Sequence, residues 1–452
     1  MCAEQTRPHI AVIGGGIAGL TAAYRLHQAG LNVDLYEARG RVGGRILSVK
    51  IHNKIGELGA QNILDGGDGT NILRLVKEFG LKLIQSQIRL NHYYFSGEEL
   101  IPVQQLPKDM IYDPQSLKMH LTNISLKANN MSDILRAFFA KENYYYKSFA
   151  ARLAAYEGNV VEDLSPLSLE TFYYMLLGGL SLSHQKPAID FLSIKGGNSL
   201  LPNTIAEALG EKVHLQMPLS SLQKNPKGRY LLTFQNGQIV QADILLLAIP
   251  CSVYQDIHFA ENVIPEETLQ AIRNVQYGTN AKILVPFPCG PQQQIGLIHE
   301  DLVSFFDSIN HVLTLYFVGN AGYFSKDTIL ENYLLGQSMI EKGYQEKRPD
   351  FSPPDYAEDI SFAAYERAVG YSWPGDPYAK GSYSSVAPGQ EEVFTAIEEI
   401  YGEKSKTLFA PLEQTLFFAG EHTSVSLESL GTMEGACESG ERAARIIQKI
   451  IL

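Results

Sequence analysis

Apolar positions first cluster at His9–Ile13, a short run rich in β-branched residues that reads as a buried strand. From Ile17 to about Ala29 the apolar spacing is helical and stops at Gly30, and NVDLYEA at 32–38 reads as a second strand. A hairpin is predicted over 230–249, closed at Asn236-Gly237 and running on into a buried strand. Residues 195–209 read as a glycine turn followed by a helix, and 131–180 are rich in helix formers and tyrosine. From Met433 onward Ala436, Ala443, Ile447 and Ile450 fall on or near one face of a helix. The prolines and charges of 346–359 mark a surface loop. The chain shows no internal repeat and no low-complexity tract.

The first strand, turn and helix carry Gly14, Gly16 and Gly19 in GxGxxG spacing, and the second strand delivers Glu37 about 20 residues on. Gly14 permits the tight turn, Gly16 lets the backbone approach a pyrophosphate, and Gly19 lets helix and strand pack closely. The helix N-terminus offers unpaired N–H groups to the phosphates, and Glu37 is placed to accept hydrogen bonds from a ribose. An acid there disfavours a 2′-phosphate, so NADP is not expected.

The length of 452 residues exceeds what one hydrophobic core organises, so at least two domains are expected. Hydrophobic residues at 45% and charged residues at 19% are ordinary for a globular enzyme, and the net charge of −12 argues against nucleic-acid or anionic-membrane partners. Cys2, Cys251, Cys289 and Cys437 have no metal-type spacing, which predicts no metal site and free, mostly buried thiols in a reducing compartment. The absence of an apolar leader and of any apolar run of about 18 residues makes a soluble cytoplasmic protein, monomer or homodimer, the expectation.

Directly after Glu37 comes ARGRVGGRI, with Arg39, Arg41 and Arg45 around two further glycines, then GELGAQNI at 56–63. A second glycine loop suits a cofactor longer than a nicotinamide dinucleotide, and Arg45 suits a charge-assisted contact to phosphate. These stretches, with HLQMPLSSL (214–222), ADILLLAIP (242–250), DPYAKGSYS (376–384) and FFAGEHTSVSLESLGTMEGACESGERAARII (417–447), resemble the flavin-containing amine oxidase family. That family includes monoamine and polyamine oxidases, flavin histone demethylases and L-amino-acid oxidases. The resemblance implies an α/β fold, with a discontinuous Rossmann-like FAD-binding domain (1–80, 194–284 and 380–452) and an α+β substrate domain (81–193 and 285–379). It assigns FAD contacts to Gly14, Gly16, Gly19, Glu37, Arg39, Arg45, Gly59, Ala60, Gln61, Leu219, Gly420, Glu421 and Met433, with Met433 opening a helix whose N-terminus faces the flavin pyrimidine.

In the family, a neutral amine presents its α-C–H to flavin N5, a hydride passes, the imine is hydrolysed, and oxygen reoxidises the flavin to give hydrogen peroxide. Tyr383 matches the tyrosine that faces the substrate nitrogen. Ser382 stands where monoamine oxidases carry a cysteine bonded to the flavin, so FAD is expected to be non-covalent. Thr432 replaces the second tyrosine of the monoamine oxidase cage, and Trp373 precedes the same segment. The lysine that family oxidases hold near N5 is expected within Gln292–Gln294, with Gln293 in its place. Asp65 and Asp68 are candidate carboxylates for a polyamine, and Arg89 and Arg367 candidate clamps for an amino-acid carboxylate. The tyrosines of 131–180 are either an amine channel or helix-packing residues. The function expected is FAD-dependent oxidation of an amine, a polyamine or secondary amine ahead of an aromatic monoamine, with O2 or another electron acceptor. The alternatives are an L-amino-acid oxidase, a lysine-less desaturase or isomerase on the same scaffold, and a non-catalytic flavoprotein that binds a partner.

Overall fold

The computed structural model describes residues 7–51, 54–63, 69–86, 91–96, 100–102, 113–140, 143–179, 191–286, 295–307, 312–324 and 368–452. Asp65, Asp68, Arg89, Arg367, Gln292–Gln294 and the loop at 346–359 lie outside them.

A five-stranded parallel sheet gathers His9–Ile13, Asn32–Tyr36, Val213–His214, Ile244–Leu247 and Leu416–Phe418, with the first strand at its centre between Ile244–Leu247 and Asn32–Tyr36. Strand residues alternate between its two faces. Ile10, Val12, Ile244, Leu246 and Phe417 join one core with helices Ile17–Gln28 and Met433–Ile451. Ala11, Ile13, Leu245, Leu247, Leu416 and Phe418 join a second core, formed with the four-stranded sheet of 219–259. Covering on both faces explains why ILLLAI and FFA are uninterrupted apolar runs rather than alternating ones. The predicted hairpin is present, Tyr230–Phe234 pairing antiparallel with Ile239–Ala242.

A seven-stranded sheet forms the second domain, in the order 369–372, 281–286, 312–317, 302–307, 295–299, 91–95, 100–102. The strand Ala281–Pro286 belongs here, although all but its last two residues fall within the cofactor-domain boundaries drawn from sequence. Its pairing with Val312–Phe317 and Val369–Ser372 decides its membership. Helices Pro114–Ser125, Met131–Phe138, Tyr144–Glu157 and Leu169–Gly179 pack over this sheet around Phe138, Phe139, Phe149 and Phe172. Tyr145 and Tyr146 are buried in that aromatic core, which settles the packing role for those two tyrosines. Among the described residues no helix is long and apolar enough to cross a membrane.

Candidate active site

A cavity of about 1830 Å³ runs from the glycine loop of the parallel sheet to the helices of the second domain. Its cofactor end is built by glycines doing different work. Gly14, at φ +110°, has no room for a side chain, since a β-carbon would run into the Ala248 carbonyl oxygen. One on Gly19 would run into the carbonyl of Gly14, whereas a β-carbon on Gly16 would meet nothing within 4 Å. Gly16 is therefore the open point at which a pyrophosphate reaches the backbone, and the helix beginning at Ile17 has no side-chain cap to compete for its N–H groups. The second glycine loop closes against the first, Gly43 donating to the Gly15 carbonyl at 2.8 Å.

Glu37 is buried and takes the backbone N–H of Gly15 on one oxygen at 2.6 Å and that of Arg39 on the other at 2.8 Å. These bonds fix the carboxylate at the cavity wall and leave each oxygen a further lone pair for a ribose. Arg39 is paired with Glu37 and with Asp376. Arg45 spans the two ends of the chain, donating to the Ser382 carbonyl at 3.0 Å and to Glu421 at 2.9 Å. Glu421 also accepts from the Ser384 N–H (3.1 Å), the Ser384 hydroxyl (2.5 Å) and the Gly431 N–H (3.0 Å). Burial pushes this carboxyl's pKa up, but Arg45 and the Ser384 donors outweigh it and hold it below the usual carboxylate range. With its side chain so engaged, Glu421 locks three segments around the cavity.

Gly59, Ala60, Gln61, Leu219, Gly420 and Met433 also line the cavity, so of the expected cofactor contacts only Gly19 lies behind its wall. Thr432 lines it as well, but its hydroxyl caps the C-terminal helix, accepting from Gly435 N–H at 3.1 Å and donating to the Ser429 carbonyl at 2.8 Å. That helix points its first turn, Met433, Glu434 and Ala436, at the cavity.

The open length, the uncapped helix start, the bare Gly16 and the buried acid fit an adenine dinucleotide with a second, bulky ring system. Ser382 carries no sulfur to bond it, and its neighbour Tyr383 is held by hydrogen bonds rather than free: its hydroxyl donates to the Ala155 carbonyl at 2.7 Å and accepts from the Asn280 amide at 2.7 Å. The edge of its ring lies against Gly158 and Gly431, where a β-carbon would stand 2.9 and 3.1 Å from ring atoms.

The sequence reading looked for the lysine position at Gln292–Gln294 and did not consider Lys282. Gln293 lies outside the described residues, and the buried lysine that lines the cavity is Lys282, on Ala281–Pro286. Its ammonium donates to the Gly59 carbonyl at 2.8 Å, to Gln61 Oε1 at 3.2 Å and to the Glu57 carbonyl at 3.3 Å. The carbonyl between them, Leu58, accepts from Trp373 Nε1 at 3.0 Å. GELGAQ is thus the segment that docks the lysine and tryptophan of the second domain against the cofactor loop. Burial lowers the Lys282 pKa to about 8, with Glu57 acting in the other direction. A lysine inside the apolar run AKILVP was itself the signal that could have found it.

Directly across the strands from Lys282 stands Tyr316, and across from Tyr316 stands Val303. Residues paired in this way share a face, so this row forms a cavity floor, with the Lys282 ammonium 5.4 Å from the Tyr316 ring centre. Tyr316 is a second cavity tyrosine beside Tyr383, supplied by the sheet rather than by the segment holding Thr432. An arginine and a glutamate of helix Tyr144–Glu157 also face the cavity. Arg152 lies over the Phe149 ring at 5.0 Å, and among the described residues no carboxylate pairs with it and no oxygen accepts from it. Burial lowers its pKa to about 10. Glu157 accepts from the Thr171 hydroxyl and is raised above the usual carboxylate range by burial. Sequence reading missed both, although an arginine amid FAARLAAY was a visible interruption.

The family model for flavin-containing amine oxidoreductases matches residues 17–448. L-amino-acid oxidases of Demansia vestigiata and Gloydius halys are 26% and 27% identical to the chain over 97% and 98% of its length, and 86% and 89% of theirs. In fold it is similar to a putrescine oxidase bound to putrescine (17% identity, TM-score 0.69) and to the cyclohexylamine oxidase of Brevibacterium oxydans (20%, TM-score 0.71), each match covering 98% of this chain and 99% of the other. With a cavity whose walls suit FAD and a match across nearly its whole length, the chain belongs to the flavin-containing amine oxidoreductase family and is an FAD-dependent oxidoreductase.

Proposed function

We propose that the chain oxidises an amine bearing a carboxylate, an L-amino acid, to the imino acid, with FAD held non-covalently and O2 as the acceptor. Arg152 carries this reading. Half-buried on the cavity wall and with no acceptor among the described residues, this guanidinium is free to meet a ligand's charge, and a planar fork of donors matches a carboxylate. The uncommitted hydrogen of Tyr316 offers a second donor to the same carboxylate, and the amino-acid oxidases among the relatives support the choice. Bound FAD would take the α-hydrogen with its electron pair. The chain's own groups do the rest: Tyr383 presents its ring to the amino group, Lys282 keeps a proton at Nζ beside the cofactor loop, and the helix starting at Met433 supplies a positive dipole end.

Glu157 favours a second reading, a polyamine, because a cavity carboxyl in no ion pair among the described residues suits a cation. Anaerobic addition of L-amino acids and of polyamines to the yellow protein, followed by air with a peroxide assay, separates the two. We expect amino acids to bleach the flavin and Arg152→Met to raise the half-saturating concentration by about two orders of magnitude. Bleaching by polyamines alone, unaffected by Arg152→Met, would overturn the reading.

A further inference from the structure

We propose that Asn280 is a positioning residue that turns the hydroxyl hydrogen of Tyr316 into the cavity, toward the substrate carboxylate; the substrate's identity rests on the amino-acid reading above. Asn280 is fully buried immediately before strand Ala281–Pro286. Its Nδ2 lies 3.1 Å from the Ala155 carbonyl oxygen, 2.9 Å from the Tyr316 hydroxyl and 2.7 Å from the Tyr383 hydroxyl. A carbonyl can only accept, so the amide must show this cluster its nitrogen. The other end of the amide, Oδ1, is buried without a partner among the described residues.

Counting hydrogens then leaves one arrangement. Tyr383 gives its only hydrogen to the Ala155 carbonyl at 2.7 Å and therefore accepts from Asn280. An amide nitrogen does not accept, so Tyr316 accepts from it too. Two amide hydrogens face three oxygens; the shorter contacts, to the tyrosine oxygens at 2.7 and 2.9 Å, take them ahead of the Ala155 carbonyl at 3.1 Å, which Tyr383 already serves. Among the described residues the hydrogen of Tyr316 has no close acceptor, since the Tyr383 oxygen is 3.4 Å away and already receives a bond from Asn280. It is left for whatever occupies the cavity that Tyr316 lines. Without Asn280 the Tyr383 oxygen regains a free lone pair, and the Tyr316 hydrogen turns to it instead of to substrate. Asn280 thus links the tyrosine beside the amine to the tyrosine beside the acid, without touching substrate itself.

The test uses the FAD-loaded enzyme and 2-aminoisobutyrate, an amino acid with no α-hydrogen to lose, its binding read from flavin difference spectra. Asn280→Ala and Tyr316→Phe are each expected to weaken binding about tenfold, with the double variant no weaker than either single. The limiting rate of anaerobic reduction by an oxidisable amino acid should change far less than its half-saturating concentration. Wild-type binding in Asn280→Ala, or losses that multiply in the double variant, would overturn the proposal. If Asn280→Ala loses FAD, the isosteric Asn280→Asp serves: its carboxylate accepts the Tyr316 hydrogen, so weakened binding is again expected and unchanged binding overturns it. If no amino acid perturbs the wild-type flavin, the amino-acid reading fails instead. The proposal is then decided by the 13Cζ resonance of Tyr316, identified by its loss in Tyr316→Phe. That resonance should move in Asn280→Ala, and one that stays in place overturns the proposal.

Discussion

A lysine in the middle of a buried strand destabilises a fold unless its charge is met, and here three oxygens of the 57–61 segment meet the Lys282 ammonium. Its proton is held up to about pH 8, and a positive charge beside the cofactor stabilises the negative charge that develops as oxygen is reduced. Lys282→Met should slow reoxidation by air roughly a hundredfold in stopped-flow experiments, on the scale of losing one preorganised donor. In the wild type the reoxidation rate should fall as pH rises through about 8, a break the variant lacks. Linkage gives a second sign. The folded pKa lies below the ordinary 10.5, so the lysine carries no penalty above that pH and its full penalty once the pH falls below about 8. Lys282→Met should therefore melt higher than wild type at pH 7, and that advantage should shrink toward pH 10.5. The place of this residue in the cavity could not be read from sequence because sequence separation does not say which strand neighbour a side chain faces. Lys282 meets its partners through cross-strand register and a loop more than 200 residues away. Gly14, Gly16 and Glu37 were legible because the turn that needs them is local.

Helix Thr70–Glu78 begins after Gly69, which has no side chain to cap it. The missing acceptor comes from the far end of the chain: Glu434 receives the N–H groups of Asn71 and Ile72 at 3.0 and 2.8 Å and the Asn71 side chain at 2.6 Å. Glu434→Ala should cost about 2 kcal/mol, the upper range for a lost cap plus a stranded charged hydrogen bond, read as a lower urea midpoint. The glycine-loop helix gives a contrast within one element. Gly16→Ala adds a methyl to open space and should fold normally while losing FAD affinity at least tenfold. Gly19→Ala drives the methyl into Gly14 and should lower the melting temperature of the flavin-free protein itself. Elements with a clear apolar pattern, the continuous ILLLAI and the one-faced C-terminal helix, could be read from sequence. Caps borrowed across the fold, like Glu434, could not, because they exist only once the two helices are docked.

The two ends of the chain complete each other. Leu416–Phe418 extends the sheet centred on His9–Ile13, helix Met433–Ile451 packs on helix Ile17–Gln28, and Arg45 is pinned to Glu421. A ligand bound among these segments stabilises all of them, so saturating FAD at a hundred times its dissociation constant should add about 2.7 kcal/mol, seen as a melting point that climbs with FAD concentration. The discontinuous domain was legible from motifs recurring in order along the sequence, whereas the seven-stranded sheet was not, because no local signal fixes which strands pair. The placement of the last strand also sets a clock on biosynthesis. At roughly 5–20 residues per second, about 8–34 s pass between translation of Ile244–Leu247 and of its neighbour Leu416–Phe418. Throughout that interval one edge of the parallel sheet waits on the ribosome without its neighbour, an unpaired template for aggregation. Flavin loading therefore waits until Leu416–Phe418 and helix Met433–Ile451 have been made, and yield in a host cell should respond to chaperone supply before it responds to riboflavin.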